Sequence, residues 1–151
     1  MMERITLAWL AGFFDGEGSI SIHKSKQAWR LRITLTQCDL SLLTAIRAKF
    51  PEFKFLLPKM KSYGNDGCKR QPGFEIGIAG VKACSVFLET IRPLVVRKLM
   101  DVEVGLAFCK TVRPNTNRRQ RITPEEHAVR KLLVDKLKYS RLQRSVSEFV
   151  H

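Results

Sequence analysis

The sequence is short of acid. Asp and Glu number 14 against 27 Lys and Arg in 151 residues, a formal net charge of +13. A foldable chain with that imbalance suits a polyanionic partner. It has no uncharged apolar run near the roughly 18 residues a membrane-spanning helix needs, so no membrane partner is expected. The opening MMERITLAWLAGFF is apolar enough to suggest a signal peptide. Glu3 precedes that run, however, Asp15 and Glu17 follow it, and no convincing small-residue cleavage site closes it. The cysteines at 38, 68, 84 and 109 form no C-x-x-C pair and stand at no zinc-ligand spacing from His23, His127 or His151. Cys84 and Cys109, set among apolar residues, read as core thiols, and Cys68, in a polar loop, as exposed. Structural zinc is not expected, and the setting reads as reducing and intracellular. There is no H-N-H-like histidine cluster, and no D…E-x-K, since Glu75 is followed by Ile76 and Gly77.

What the chain does have is a core. Hydrophobic residues make up 44% of it, enough for one domain over residues 1–151. Thr6 reads as the cap of a helix with apolar positions Leu7, Leu10, Ala11 and Phe14, ended by Gly16 and Gly18. Two alternating stretches follow: SISIHK (19–24), and WRLRITLTQ (29–37) with Leu31, Ile33 and Leu35 on one side. Asp39 caps an amphipathic helix over 40–50 that Pro51 stops. EFKFLLPKMK (52–61) reads as a third strand, a polar loop covers 62–73, and FEIGI (74–78) is a fourth strand. Helices are expected over 80–91 and roughly 95–109. After the basic stretch 113–122, T-P-E-E at 123–126 opens a last helix to about Leu142, with Val129, Leu132, Leu133 and Leu137 as its apolar stripe. Leu142, Val146 and Phe149 are expected to pack back on the core. The order predicts an α+β fold: a mixed, mainly antiparallel four-stranded sheet with helices on one face, an α-β-β-α-β-β-α core over about 5–110 and a basic helical extension over 111–151.

If helices cover the Leu31, Ile33 and Leu35 side, the other face carries Ser21, His23, Arg30, Arg32 and Thr34. A two-stranded ribbon of that chemistry fits the major groove, where Arg bonds guanine N7 and O6. Lys24 and Lys26 in the hairpin, with Lys54, Lys59 and Lys61, supply phosphate contacts. Glu75 on the fourth strand joins this DNA-binding set. Residues 110–144 hold eleven Lys and Arg against three acids, a basic segment placed to contact phosphates or simply to be solvated.

The stretch LAGFFDGEGSISI (10–22) couples small helix residues to a G-E-G ending and then directly to a strand. It resembles the signature of the LAGLIDADG homing endonucleases, and the order of elements that follows is similar over about residues 5–110. One copy of the motif is present; LAFCK at 106–110 lacks the acids. In this family a single-motif chain is similar to half an enzyme and works as a homodimer. The resemblance places Ala8, Leu10, Ala11, Gly12 and Asp15 at a dimer interface, where small residues let two helices approach backbone to backbone. It gives metal binding to Glu17 with the Gly16 carbonyl assisting, and makes Asp15 a brace for the helix end near its partner. The implied cofactor is Mg²⁺, with Mn²⁺ or Ca²⁺ as substitutes. Gln37, at the end of the second strand, corresponds to a polar residue near the attacking water. Pro93–Lys98 resembles the segment that sets a basic residue beside the scissile phosphate; spacing from Pro93 selects Lys98, with Arg97 as the alternative.

The implied activity is a double-strand break in a long, pseudo-palindromic DNA target, leaving 3′ overhangs and initiating intron or intein mobility. The rival reading is a binder of the same fold: an RNA-splicing maturase, with RNA as its partner, or a non-cleaving DNA-binding protein. A structural RNA-binding protein fits the charge and size but gives no account of LAGFFDGEG.

Overall fold

The computed structural model describes residues 2–26, 28–56, 73–112 and 122–150. After a 3-10 turn at Met2–Arg4 come α1 (Leu7–Glu17), β1 (Gly18–Ser25), β2 (Ala28–Gln37), α2 (Leu40–Lys49), β3 (Lys54–Phe55), β4 (Phe74–Ala79), α3 (Val81–Ile91), α4 (Leu99–Thr111) and α5 (Pro124–Val150). The strands form one sheet in the order β1-β2-β4-β3, and all its pairings are antiparallel. The mixed α+β architecture holds; no parallel pairing occurs among the described residues.

The caps follow from side-chain chemistry. The Thr6 hydroxyl accepts from the Trp9 N–H at 3.1 Å at the start of α1, and Asp39 accepts from the Leu42 N–H at 3.1 Å at the start of α2. Before α5, Thr123 and Glu126 bond reciprocally, each backbone N–H to the other's side chain at 3.2 Å, a complete capping box. Alternation along β1 and β2 sends Ile20, Ile22, Leu31, Ile33 and Leu35 into the core. There they meet Leu10, Ala11 and Phe14 of α1, Leu43 and Ile46 of α2, and Phe87, Leu88 and Phe108 from α3 and α4, all buried.

Several expectations shift. Gly16 does not end α1; it lies inside the helix, which continues through Glu17 and turns at Gly18. Space demands glycine at 18, because a Cβ there would lie 2.2 Å from the Phe14 ring. The third strand is only Lys54–Phe55, and residues 57–72, with Lys59, Lys61 and Cys68, lie outside the described residues. The helix expected from 95 starts at Leu99, because residues 95–98 form the turn described below.

The last helix runs past Leu142 to Val150. Its inward stripe is Leu133 and Leu137, whereas Val129, Leu132, Leu142 and Val146 are exposed; the side chain of Phe149 is outside the described residues. Buried polar residues displace those apolar ones from the contact. Arg130 bonds Thr111 through Nε at 3.3 Å and Nη2 at 3.2 Å and lies over the Phe108 ring. Asp101 accepts from Ser140 and Arg144. Cys84 is buried and Cys109 half-buried, and burial pushes their thiols up to about 12 and about 11. No described helix is long and apolar enough to cross a membrane.

Candidate functional site

The C-terminal end of α1 brings the first candidates together. Glu17 is its last residue and is exposed, and among the described residues no hydrogen bond or ion pair engages its carboxylate. Gly16 precedes it in the last turn, where helix carbonyls lack intrahelical partners and the helix end is electronegative. Gly18 pairs with Leu35, so Gln37, two residues further along β2, lies at the same end of the sheet as Glu17. The Gln37 Oε1 accepts from the Cys38 N–H at 2.8 Å, which orients its amide.

The Asp15 carboxylate is engaged within its own chain. Its Oδ2 accepts from the Val96 and Arg97 N–H groups at 2.8 and 2.9 Å, and its Oδ1 from the Lys98 N–H at 2.8 Å. Burial alone would raise its pKa, but these three backbone donors and the Lys98 charge outweigh that and hold it below the usual aspartate value. Lys98 is 8% exposed, not a surface lysine. Its Nζ donates to the Asp15 carbonyl at 2.7 Å and to the Phe14 carbonyl at 3.2 Å, satisfying the C-terminal end of α1. Burial, then Arg144 and Arg97, push its pKa down, while Asp15 and Asp101 act in the opposite sense. Arg97 is exposed. The structure thus places Lys98, Asp15 and Glu17 at one helix end, with Gln37 at the same end of the sheet.

The open face of the sheet is a second arrangement. Ser21 pairs with Arg32, His23 with Arg30, and Ser19 with Thr34, all on the side away from the core. Arg30, Arg32 and His23 are exposed. Thr36 pairs with Glu75 in the register, and its hydroxyl donates to the Glu75 Oε2 at 3.1 Å. Lys26 takes φ 55° at the β1–β2 turn and is exposed at the hairpin tip. Lys24 is exposed near the hairpin tip. It pairs with Trp29 and shares the parity of Ile20 and Ile22, so it belongs to the helix-covered side at the hairpin's end.

The outer face of α1 is set by a repeat of small residues. Ala8, Gly12 and Gly16 recur every four residues and are exposed, and a Cβ at Gly12 or Gly16 would meet nothing within 4 Å. Leu10 and Ala11, expected at an interface, are fully buried in the chain's own core, because a helix stripe cannot serve the core and the outside together. Trp9 and Phe13 stack beside the small residues at 5.1 Å.

Residues 10–69 match the family model described as LAGLIDADG endonuclease. Over this segment, two-fifths of its length, the chain is similar to the LAGLIDADG endonucleases. Among solved structures it resembles the homing endonuclease I-CvuI, crystallised with the I-CreI target in the presence of magnesium, the DNA not cleaved. There 23% of residues are identical over 89% of this chain and 80% of that one, with a TM-score of 0.66. The same endonuclease with its own target in the presence of calcium gives 24% identity and the same coverage and TM-score. The archaeal intron-encoded homing endonuclease I-Vdi141I, complexed with DNA, gives 11% identity over 90% of this chain and 96% of that one, with a TM-score of 0.55. These likenesses show that the LAGLIDADG fold is shared. No curated protein matches the sequence.

Some contributors have no motif to announce them. Asp101 lies in the first turn of α4, where Ser140 and Arg144 reach it, and Arg141 reaches the Ile20 carbonyl, all through tertiary contact. Thr36 reads in the sequence as one more strand threonine, and only the β2–β4 register sets it against Glu75.

Proposed function

We propose that this chain is a site-specific homing endonuclease that works as a homodimer. Two copies bind a long, pseudo-palindromic double-stranded DNA and make a metal-dependent double-strand break with 3′ overhangs, initiating intron or intein mobility. The observation that carries this reading is that the exposed Glu17 carboxylate and the Lys98 ammonium, bonded to the carbonyls of Phe14 and Asp15, belong to the same helix end, beside a basic sheet face.

The donor chemistry fits a hard divalent cation: a carboxylate from Glu17 and a backbone carbonyl from Gly16, both oxygen ligands at an electronegative helix end. Among the described residues no group of three His, Cys, Asp or Glu could hold a metal, so one chain offers half a site. Two α1 helices meeting along Ala8, Gly12 and Gly16 would bring a second Glu17 to complete it. When bound, Mg²⁺, with Mn²⁺ or Ca²⁺ as substitutes, supplies Lewis acidity and a water of lowered pKa.

The chain's own residues do the rest. An ammonium has three donors; Lys98 commits two to the carbonyls of Phe14 and Asp15, which leaves the third for a phosphate oxygen. Fixed there before substrate arrives, it stabilises charge that develops at phosphorus. Gln37 orients the attacking water, and solvent takes its proton. Ser21, His23, Arg30, Arg32, Thr34 and Glu75 face the groove, with Lys26 at the hairpin tip reaching phosphate.

The test uses DNA spanning the uninterrupted insertion locus of the gene. With Mg²⁺ the protein is expected to cut it on both strands, and Glu17→Gln to bind the same DNA without cutting. Undiminished cleavage by Glu17→Gln rejects the site. Tight binding without cleavage by the natural sequence returns the reading to a maturase or a non-cleaving DNA-binding protein.

A further inference from the structure

Residues 140–144 of α5 reach both elements that carry the centre. β1 begins one residue after Glu17, and Arg141 of α5 donates through Nη2 to the Ile20 carbonyl of that strand. α4 begins one residue after Lys98, and Asp101 in its first turn is 1% exposed. Asp101 accepts from the Ser140 hydroxyl at 2.7 Å and from both terminal nitrogens of Arg144 at 2.9 Å, a bidentate pair. Arg144 also donates to the Ser140 Oγ at 2.9 Å, so the three side chains are mutually bonded.

Adhesion alone does not call for this arrangement. Leu133 and Leu137 already dock α5 through buried apolar surface. A buried carboxylate costs desolvation that an apolar residue at the same place would avoid. What the charged set adds is direction: a planar fork fixes the rotation and register of one helix against another. The two elements so fixed are those that begin immediately after Glu17 and Lys98. Arg144 lowers and Asp101 raises the Lys98 pKa, lesser effects beside burial.

We infer that Arg144, acting through Asp101, and Arg141, acting through Ile20, are positioning residues that fix Lys98 relative to Glu17, so that the C-terminal helix braces the nuclease centre. This rests on the reading of that centre given above. Neither arginine touches the reacting atoms; each acts by holding a backbone element whose first residue neighbours a group that does. A displacement of about 1 Å between such groups is enough to slow a reaction about 100-fold.

The experiment uses the full chain with ¹³C at the lysine ε-carbons, the Lys98 resonance being assigned by its loss in Lys98→Arg. Arg144→Lys keeps the charge and breaks the fork; Arg141→Ala removes one bond from an exposed side chain to a carbonyl. In both variants the Lys98 resonance is expected to move toward those of solvent-exposed lysines. Single-turnover cleavage at saturating DNA is expected to slow about 10- to 100-fold, with affinity for uncleaved DNA in Ca²⁺ within about twofold of the natural sequence. An unmoved Lys98 resonance in the folded variants overturns the inference. So does a lowered melting temperature with an unchanged single-turnover rate, which describes a merely structural contact. If Arg144→Lys does not fold, Arg141→Ala decides alone. If the natural sequence cuts no DNA, the nuclease reading falls, and the lysine resonance still decides whether α5 sets the position of Lys98.

Discussion

Asp15 and Lys98 cap each other's helices. The Asp15 carboxylate takes the three N–H groups at 96–98, just ahead of α4, and the Lys98 ammonium takes the carbonyls of Phe14 and Asp15 at the end of α1. A negative group thus sits at a helix N-terminus and a positive one at a helix C-terminus, each in the sense the helix dipole favours. The two helices are 81 to 83 residues apart where they join, so the first acid of the motif is a long-range tether within one chain.

Breaking that tether should cost stability and activity together. Asp15→Asn retains one acceptor oxygen and replaces the other with a donor that faces N–H groups. A loss of about 1–2 kcal/mol is expected, at the lower end for hydrogen bonds to a charged group because Asp15 is only half-buried. Urea unfolding at neutral pH reads that loss directly. Cleavage should fall by more than the unfolded fraction explains, because Lys98 loses its backbone anchor.

Much of this was legible in the sequence, for definable reasons. Caps, alternation and the G-E-G ending are local signals, and Thr6, Asp39, the Thr123–Glu126 box and the two long strands all follow from them. Glu17 stands where its motif puts it, at a helix end running into a strand. Lys98 could be chosen by spacing, but that it is buried on carbonyls of α1 depends on a contact between distant segments. The inward face of α5 departs from its apolar periodicity for a related reason. Val129 and Leu132 fit an apolar helical stripe, yet Arg130, Ser140 and Arg144 occupy the contact because Thr111 and Asp101 wait for them on α4. Buried polar partners leave no periodic trace.

Asp39 provides a pH-dependent test of one local signal. The Ser41 hydroxyl, at 2.6 Å, and then the Leu42 N–H hold its carboxyl below the ordinary 3.8. The native state therefore binds this proton less readily than the unfolded chain does. The stabilisation is complete above about pH 3.8 and is lost as pH falls through the lower native value. Asp39→Ala should destabilise the protein at neutral pH, and the gap from the natural sequence should close below that point. Denaturant midpoints measured across acid pH check this; a gap that stays constant would mean the charge plays no part in the cap.

Gly18 should resist even the smallest side chain. Its backbone is extended, φ −78° and ψ 158°, so conformation would permit alanine; space does not, with the Phe14 ring at 2.2 Å and the Phe14 carbonyl at 2.6 Å from a Cβ. Gly18→Ala should cost about 1–3 kcal/mol, the usual range for overpacking. Adding Phe14→Leu should relieve part of the clash, so the double variant should lose less than the sum of the two single losses. Thermal or urea unfolding of the four proteins closes that cycle.

Gly12 separates the demands of the chain from those of a pair of chains. A Cβ there meets nothing within 4 Å, so Gly12→Ala should stabilise the isolated fold by roughly the 0.5–1 kcal/mol that alanine gains over glycine in a helix interior. Backbone-to-backbone approach of two α1 helices reverses the sign, since the added methyl groups would hold the helices apart. The expected result is higher stability at low protein concentration with weaker self-association in sedimentation, and a bulky Gly12→Leu should abolish the association altogether. If Gly12→Leu folds and still pairs as tightly as the natural sequence, α1 is not the contact, and twin Glu17 side chains would have to be brought together by some other face.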